Sequence, residues 1–353
     1  MSKEKNYIIL EDLNFISKSL VGWGYLRNQS ILVTGCSGLL GSYLVKALIY
    51  ANKAHNLNLK VIGVYRNIDS VNLRLSEYLD EPNFELILHD IIKPLPDDFP
   101  RVDIIIHAAS QASPKFYGVD PVGTILANST GTENLLNHAV KSKSKKFLFF
   151  SSGEVYGSPI YPDELIKEND YGYLDPMNVR SCYAESKRMG ETMCVAWGKQ
   201  YGLHINIVRP FHTYGPGIAL NDGRVFADFV ANIIKEQDVV LKSDGLAKRP
   251  FCYISDATIG FLTVLISGKD AEAYNIGNPA TEISIRDLAL EIVDLRPELN
   301  LKVKFDIKEE TDKYIKSPVS RACPSIDKVS HVGWAPSIGT KEGFNRTIKS
   351  FFK

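Results

Sequence analysis

The chain has 353 residues, 44% hydrophobic and 23% charged, with 41 basic and 41 acidic side chains. That is the balance of a soluble globular protein of roughly two domains, and it excludes disordered, collagenous and disulfide-scaffold classes. A formal charge of zero gives no general attraction for nucleic acid or an acidic membrane, so neither is expected as a partner.

Five cysteines, at 36, 182, 194, 252 and 323, are odd in number and form no CxxC pair. A reducing compartment is expected, with no structural zinc. No apolar run approaches the ~20 residues of a membrane span. The opening MSKEKNYIILEDLNF meets acidic residues at once, unlike a secretory signal. A cytoplasmic protein is expected.

Residues 7–23 space Ile8, Ile9, Leu13, Ile16, Leu20 and Trp23 among Glu11, Asp12 and Lys18. This pattern predicts an amphipathic helix, within an extension over 1–29 that packs on the main body; a role in assembly is the alternative. From residue 30, apolar runs at 31–34, 61–65, 84–89, 102–107, 147–151 and 205–209 alternate with helical stretches such as 41–51, 130–142 and 183–201. Runs this apolar read as strands buried on both faces. Their alternation with helices predicts an α/β fold, a doubly wound parallel sheet of Rossmann type over 30–210.

Past about residue 210 the rhythm breaks. Gly215-Pro216-Gly217 is a turn. Helices are predicted at 224–235, 256–267 and from 281, with Thr281 or Ser284 as N-cap, and short strands near 239–241 and 273–276. These features predict a smaller C-terminal α/β lobe, 211–353, that mainly binds substrate, with a cleft between the lobes.

The first strand runs straight into TGCSGLLG, residues 34–41. Gly35 permits the tight turn, Gly38 lets the backbone approach a pyrophosphate, and Gly41 lets the helix pack close to the sheet. Ser37, Leu39 and Leu40 belong to the same turn. The helix N-terminus offers unpaired N–H groups and a positive dipole to the anion. Between a strand and an amphipathic helix, this spacing predicts a dinucleotide site. The second strand ends Val64-Tyr65-Arg66-Asn67. It lacks the acid that a free ribose 2′-hydroxyl calls for, and Arg66 suits a 2′-phosphate. NADP is therefore favoured over NAD. Asp90, after the third strand, is a candidate for the adenine amino group.

Tyr183-Ala184-Glu185-Ser186-Lys187 places a tyrosine and a lysine one helical turn apart. Ser151-Ser152 ends a strand some thirty residues earlier. A phenol with a pKa near 10 is a poor base at neutral pH. A nearby ammonium and a positive nicotinamide ring favour its phenolate, and a serine hydroxyl can hold the reacting oxygen. His55, His89, His107, His138, His204 and His331 show no metal-ligand spacing; they read as structural, and hydride chemistry calls for no metal.

With these residues in view, the chain resembles the extended short-chain dehydrogenase/reductases, the NAD-dependent epimerase/dehydratase family, in its nucleotide-sugar branch. Within the branch it is most similar to the UDP-glucuronate decarboxylases. The resemblance rests on FELILHD (84–90), HAASQASPKFY (107–117), SSGEVYGSP (151–159), RSCYAESKRMGETMC (180–194), RPFHTYGPG (209–217), NDGRVFADF (221–229) and KRPFCYISD (248–256). It implies a catalytic Ser152, Tyr183 and Lys187, with Glu154 beside the sugar. It implies that Arg180 and Arg249 lie near the substrate, that Arg224 meets the sugar-nucleotide diphosphate, and that Tyr117 lies near the sugar. The cofactor set extends to Ile91, Ala108, Ala109, Ser110, Asn128, Pro210 and His212, with His212 also a candidate for a substrate hydrogen bond. The implied partner is a nucleotide-diphosphate sugar, and the implied assembly a homodimer through helices 130–142 and 183–201.

The resemblance also implies a reaction: oxidation at sugar C4, loss of carbon dioxide and re-reduction. The sequence departs from the pattern at Gly153, where the branch has Asp or Ser, at His212, where it has Asn, at Gly217, where it has Arg, and at Arg66. Two enzyme readings stay open. Glu154, Arg180 and Arg249 favour the redox-neutral decarboxylase. Arg66, Gly153 and His212 favour an NADPH-dependent 4-ketoreductase or a C4 epimerase. A dinucleotide sensor without catalysis is disfavoured by the intact Ser152, Tyr183 and Lys187.

Overall fold

The computed structural model describes residues 6–307 and 319–352. Helix α1 (Tyr7–Ser19) precedes β1 (Ser30–Thr34), α2 (Leu39–Ala54), β2 (Lys60–Tyr65), α3 (Ile68–Leu75), β3 (Phe84–Leu88) and β4 (Ile104–His107). Helices α4 (Lys115–Val119), α5 (Pro121–Asn128) and α6 (Thr130–Ser142) lead to β5 (Lys146–Phe150), and α7 (Ser181–Tyr201) leads to β6 (Ile205–Pro210). There follow β7 (Thr213–Tyr214), α8 (Val225–Ile234), β8 (Val239–Leu241), β9 (Lys248–Pro250), β10 (Cys252–Tyr253), α9 (Ile254–Ser267) and β11 (Glu272–Ile276). The remaining elements are β12 (Glu282–Ser284), α10 (Ile285–Asp294), β13 (Val303–Phe305), α11 (Asp327–Ser330) and α12 (Thr340–Lys349).

Seven strands form one sheet in the order β11-β6-β5-β4-β1-β2-β3, every pair parallel. The inner strands β1, β4 and β5 are almost wholly buried, which is why they read as unbroken apolar runs. The chain reverses direction across the sheet between β1 and β4, and in such sheets ligands bind beyond the carboxyl ends of the strands at that point. The glycine turn and Ala108 lie there.

One expectation needs correcting. The strand predicted near 273–276 is not a piece of a separate lobe. As β11 it pairs with β6, Ala273 opposite Ile207 and Ile276 opposite Pro210, and forms the edge of the main sheet. The sequence rhythm hides this because the connection from β6 runs through four short strands, β7 to β10, and α8 before α9 brings the chain back. Beyond the main sheet, β9 pairs with β12, β7 with β10 and β8 with β13. Ser284 rather than Thr281 caps α10, its hydroxyl accepting from Asp287 N at 3.0 Å.

Helix α1 packs on the body of the protein. Asn6 caps it, and Ile8, Leu13 and Ile16 are buried. Its Asp12 is buried too, accepting from Tyr43 of α2 at 2.8 Å, Tyr253 of β10 at 2.8 Å and Arg346 of α12 at 2.6 Å. A carboxylate so enclosed is tolerated only because each oxygen is satisfied and a guanidinium balances its charge. The five cysteines are free and buried.

Candidate active site

Thr34 closes β1 and the chain turns at Gly35 with φ +66°. A Cβ at Gly35 would lie 2.7 Å from Ala109 Cα, and one at Gly41 would lie 2.2 Å from Gly35 O, so the turn, β4 and α2 close up only on glycine. Gly38 caps α2 without a side-chain bond, and Leu39 and Leu40 are the first helical residues. Their N–H groups are free for an anion. Thr34 Oγ1 ties the turn to β4, bonding His107 Nδ1 at 2.9 Å and accepting from Ala109 N at 3.3 Å.

Two buried polar atoms in this region have no partner, Ser110 Oγ and Asn128 Oδ1. Buried polar groups are rarely left so. With the steric demand for glycine, these atoms fit a polar ligand laid along the strand ends, as a dinucleotide would be. Asp90 accepts from Ile92 N at 3.3 Å, and Ile91 packs under Gly131 of α6. Arg66 lies 3.8 Å from Asp90, both partly exposed. The guanidinium is thus shared with an acid rather than held free for a 2′-phosphate.

Beyond β5, Ser152 opens a short 3-10 turn, its Oγ accepting from Glu154 N at 3.1 Å. Tyr183 and Lys187 sit in the first two turns of α7, both buried. The Tyr117 ring stacks on Tyr183 at 5.1 Å, and Tyr117 Oη donates to Ala112 O. Lys187 Nζ donates to Phe150 O at 2.6 Å and lies 4.9 Å from the Phe149 ring centre and 5.9 Å from that of Tyr183. Burial pushes the Tyr183 phenol up to about 12, with a Ser152 hydrogen bond drawing it back. Burial lowers the Lys187 ammonium to about 7. The surroundings thus drive both groups towards neutrality, and the phenolate needs further positive charge beside it. Asn128 fixes this helix from below: its Nδ2 donates to Ser186 Oγ at 2.9 Å, and that hydroxyl donates to Tyr183 O at 3.0 Å.

Arg180 enters from the N-terminal end of α7. It pairs with Glu154 at 3.3 Å and lies over the Tyr117 ring, 5.5 Å from its centre. Its Nη1 is buried without a partner. Ser152, Glu154, Arg180, Tyr117, Tyr183 and Lys187 are therefore brought together. Arg224 is held by Asp222 at 2.5 Å and 3.0 Å, yet its charge is felt by Tyr183 and Tyr117. Arg249 spends its donors on Lys248 O, Ser320 O and Val319 O. His212 follows Pro210, the last residue of β6, at φ +32°. The pKa of its half-buried ring is lowered to about 3 by desolvation, then by Arg249 and Arg224, so it is neutral at physiological pH.

Sequence reasoning missed a buried network beneath these residues. Arg209 reaches Glu191 at 2.8 Å and 2.6 Å, and Tyr156 Oη at 2.7 Å; Ser151 Oγ donates to the same carboxylate at 2.5 Å. The signal available was Glu191 one turn beyond Lys187, with an arginine inside an apolar strand.

The model of the NAD dependent epimerase/dehydratase family matches residues 31–277. The chain belongs to the NAD dependent epimerase/dehydratase family. The enzyme is similar to UDP-glucuronic acid decarboxylase 6 of Arabidopsis thaliana, 36% identical over 90% of this chain and 88% of that one. It is also similar to UDP-glucuronic acid decarboxylase 1 of Xenopus tropicalis, 34% identical over 92% and 72%. Among solved structures, UDP-glucuronic acid 4-epimerase from Bacillus cereus, in complex with UDP-glucuronic acid and NAD, superposes with a TM-score of 0.76 at 22% identity, covering 91% of this chain and 98% of that one. DesIV, a dTDP-glucose 4,6-dehydratase from Streptomyces venezuelae with NAD and TYD bound, gives 0.77 at 24%, covering 91% and 96%. These likenesses share the fold. The lean towards NADP finds no support: these two solved relatives hold NAD, and Arg66 faces Asp90. No helix among the described residues is long and apolar enough to cross a membrane.

Proposed function

We propose that the enzyme converts UDP-glucuronate to a UDP-pentose by oxidising sugar C4, releasing carbon dioxide and reducing C4 again, with NAD held and recycled. One observation carries this: Arg180, its Nη1 buried and unpartnered beside Glu154, lies over the Tyr117 ring that stacks on Tyr183. An anionic sugar facing the phenol would complete that guanidinium. Similarity to decarboxylases over nine-tenths of the chain supports the same choice.

A bound dinucleotide, held by the glycine turn with Ser110 and Asn128, would supply hydride exchange at C4 and the positive charge that the phenolate calls for. Tyr183 Oη takes the proton of the 4-hydroxyl and later gives it back, while Ser152 holds the same oxygen. Lys187, fixed by Phe150 O, supplies charge beneath the phenol. The C4 ketone makes the C6 carboxylate a β-keto acid, which loses carbon dioxide. Arg180 binds that carboxylate beforehand; when the C5–C6 bond breaks, its electron pair stays on C5 as an enolate, which takes one proton from solvent delivered through Glu154. Hydride and proton both return, so there is no net redox change. The working form proposed is a homodimer in the reducing cytoplasm, where five buried thiols stay free.

Gly153 favours a second reading, C4 epimerisation or ketoreduction, in which no carbon dioxide leaves. A Cβ there would lie 2.8 Å from the Phe211 ring, so a bulkier side chain is resisted. One experiment separates the readings. Purified protein is incubated with a panel of UDP- and dTDP-linked hexoses and hexuronates, with and without added NADP(H), and products are followed by mass. Loss of carbon dioxide from UDP-glucuronate without net dinucleotide consumption is expected. NADPH consumption on a keto-sugar, or a C4 epimer of unchanged mass, overturns the decarboxylase.

A further inference from the structure

Arg74, near the end of α3, has no part in the chemistry above. Instead of a carboxylate its guanidinium holds two backbone carbonyls: Nη1 donates to Ser37 O at 3.0 Å and Nε to Gly217 O at 3.0 Å. Burial lowers its pKa, and Asp222 draws it back up from a distance. The two carbonyls belong to segments far apart in sequence. Ser37 lies in the glycine turn that would receive the dinucleotide diphosphate. Gly217 lies at the start of the loop that ends on Arg224.

That loop is fastened on its other side by the segment after β4. Ser113 Oγ donates to Asp222 O at 2.5 Å and Lys115 Nζ to Asn221 O at 3.2 Å. With Arg74 released, the 217–224 loop would keep those two ties and lose its link to the glycine turn. A guanidinium suits this post, since it offers several donors in a fixed planar fork and stays charged when partly buried.

We propose that Arg74 is a strap that joins the phosphate-binding turn to the loop carrying Arg224 and slows release of the dinucleotide. It is a positioning residue, acting through Ser37 and Gly217. The strap rests on the proposed function, in which the dinucleotide is oxidised and reduced in place and has no need to leave.

The test compares full-length wild type, Arg74→Lys and Arg74→Met. Each is loaded with NADH, and its release is timed by loss of protein-bound fluorescence during a chase with excess NAD. Thermal unfolding is measured alongside. Two lost hydrogen bonds predict release about 10-fold faster for Arg74→Met. Arg74→Lys, whose ammonium can still reach one carbonyl, should fall between and unfold like wild type. If Arg74→Met fails to fold, Arg74→Lys decides alone: release severalfold faster supports the strap. Equal release from wild type and the folded variants overturns it. The recycling reading fails separately, if wild-type turnover consumes NADPH, and the release rates still decide the strap.

Discussion

The ring of Tyr117 lies flat against that of Tyr183, the centroids 5.1 Å apart and the planes 17° from parallel. The stack fixes the phenol ring without using its oxygen, which is left to Ser152 and the substrate. Tyr183→Phe should therefore keep the stack, the fold and bound dinucleotide, while kcat falls by about 10³-fold, the usual worth of a positioned acid–base group. Turnover assays beside dinucleotide titration check this. A variant with near wild-type kcat would remove Tyr183 from the chemistry.

Lys187 gives a prediction with a sign. Its ammonium ordinarily deprotonates near 10.5, and burial lowers that to about 7. Between those values the unfolded chain binds a proton that the native chain does not, so this group's contribution to stability rises with pH across that window and is flat below it. Lys187→Met removes a buried ammonium. Near pH 6.5 the variant should be more stable than wild type by on the order of 2 kcal/mol. The gap should narrow by up to about 1.4 kcal/mol per pH unit towards pH 9, while activity falls at least 10²-fold. Urea unfolding at the two pH values reads the difference. Parallel pH dependence in both proteins would mean that Lys187 titrates normally.

Arg180 is divided between Glu154 and a nitrogen with nothing to bind. A charged hydrogen bond contributes about 1.5–3 kcal/mol. Arg180→Met should thus weaken binding of UDP-glucuronate by about 10- to 100-fold while leaving UDP and UDP-glucose nearly unaffected. Calorimetric titration of the three ligands shows which. Equal losses for all three would place Arg180 outside carboxylate recognition.

His212 combines a left-handed backbone, φ +32°, with a ring that burial keeps neutral down to about pH 3. Asparagine tolerates that backbone well, and β-branched residues do not. His212→Asn should keep activity within about threefold and leave the pH–rate profile between 5 and 8 unchanged. His212→Val should cost on the order of 1–3 kcal/mol in stability from strain. An ionisation near neutrality that disappears in His212→Asn would contradict the neutral ring.

What the sequence revealed follows from the range of each signal. The glycine turn and the Tyr183–Lys187 pair were legible because each sits within one turn of backbone, where spacing alone sets geometry. The parallel sheet was legible because β1, β4 and β5 are buried on both faces and so carry continuous apolar runs. The edge strand β11 was misassigned because its partner β6 lies far back in the chain. The same distance hid the Arg209–Glu191 pair, the Arg74 contacts and the Asp12 cluster, since each joins residues from separate elements. Arg66 misled because its local context lacks an acid, whereas the acid it meets, Asp90, comes from beyond β3.

The proposed dimer makes the last prediction. The sequence pointed to the helices at 130–142 and 183–201, but the outward positions of α6 are Glu133, Asn137 and Lys141. Exposed apolar side chains lie at Met189 and Val195 of α7, the second of those helices, and at Val119, 84% exposed, and Val122 and Ile125 of α5, which packs against it. A surface of this kind favours association, because covering apolar area from two copies removes it from water. Val122→Asp paired with Met189→Asp would place charges in that contact and should give a monomer of unchanged secondary structure. Sedimentation or light scattering at micromolar concentration reads the mass. A wild type that is monomeric, or a double variant that still dimerises, would show that this helical face is not the contact. Because Tyr183 and Lys187 lie on the inner side of the same α7 helix, monomers are also expected to lose part of kcat, as the helix gives up the neighbour that held it.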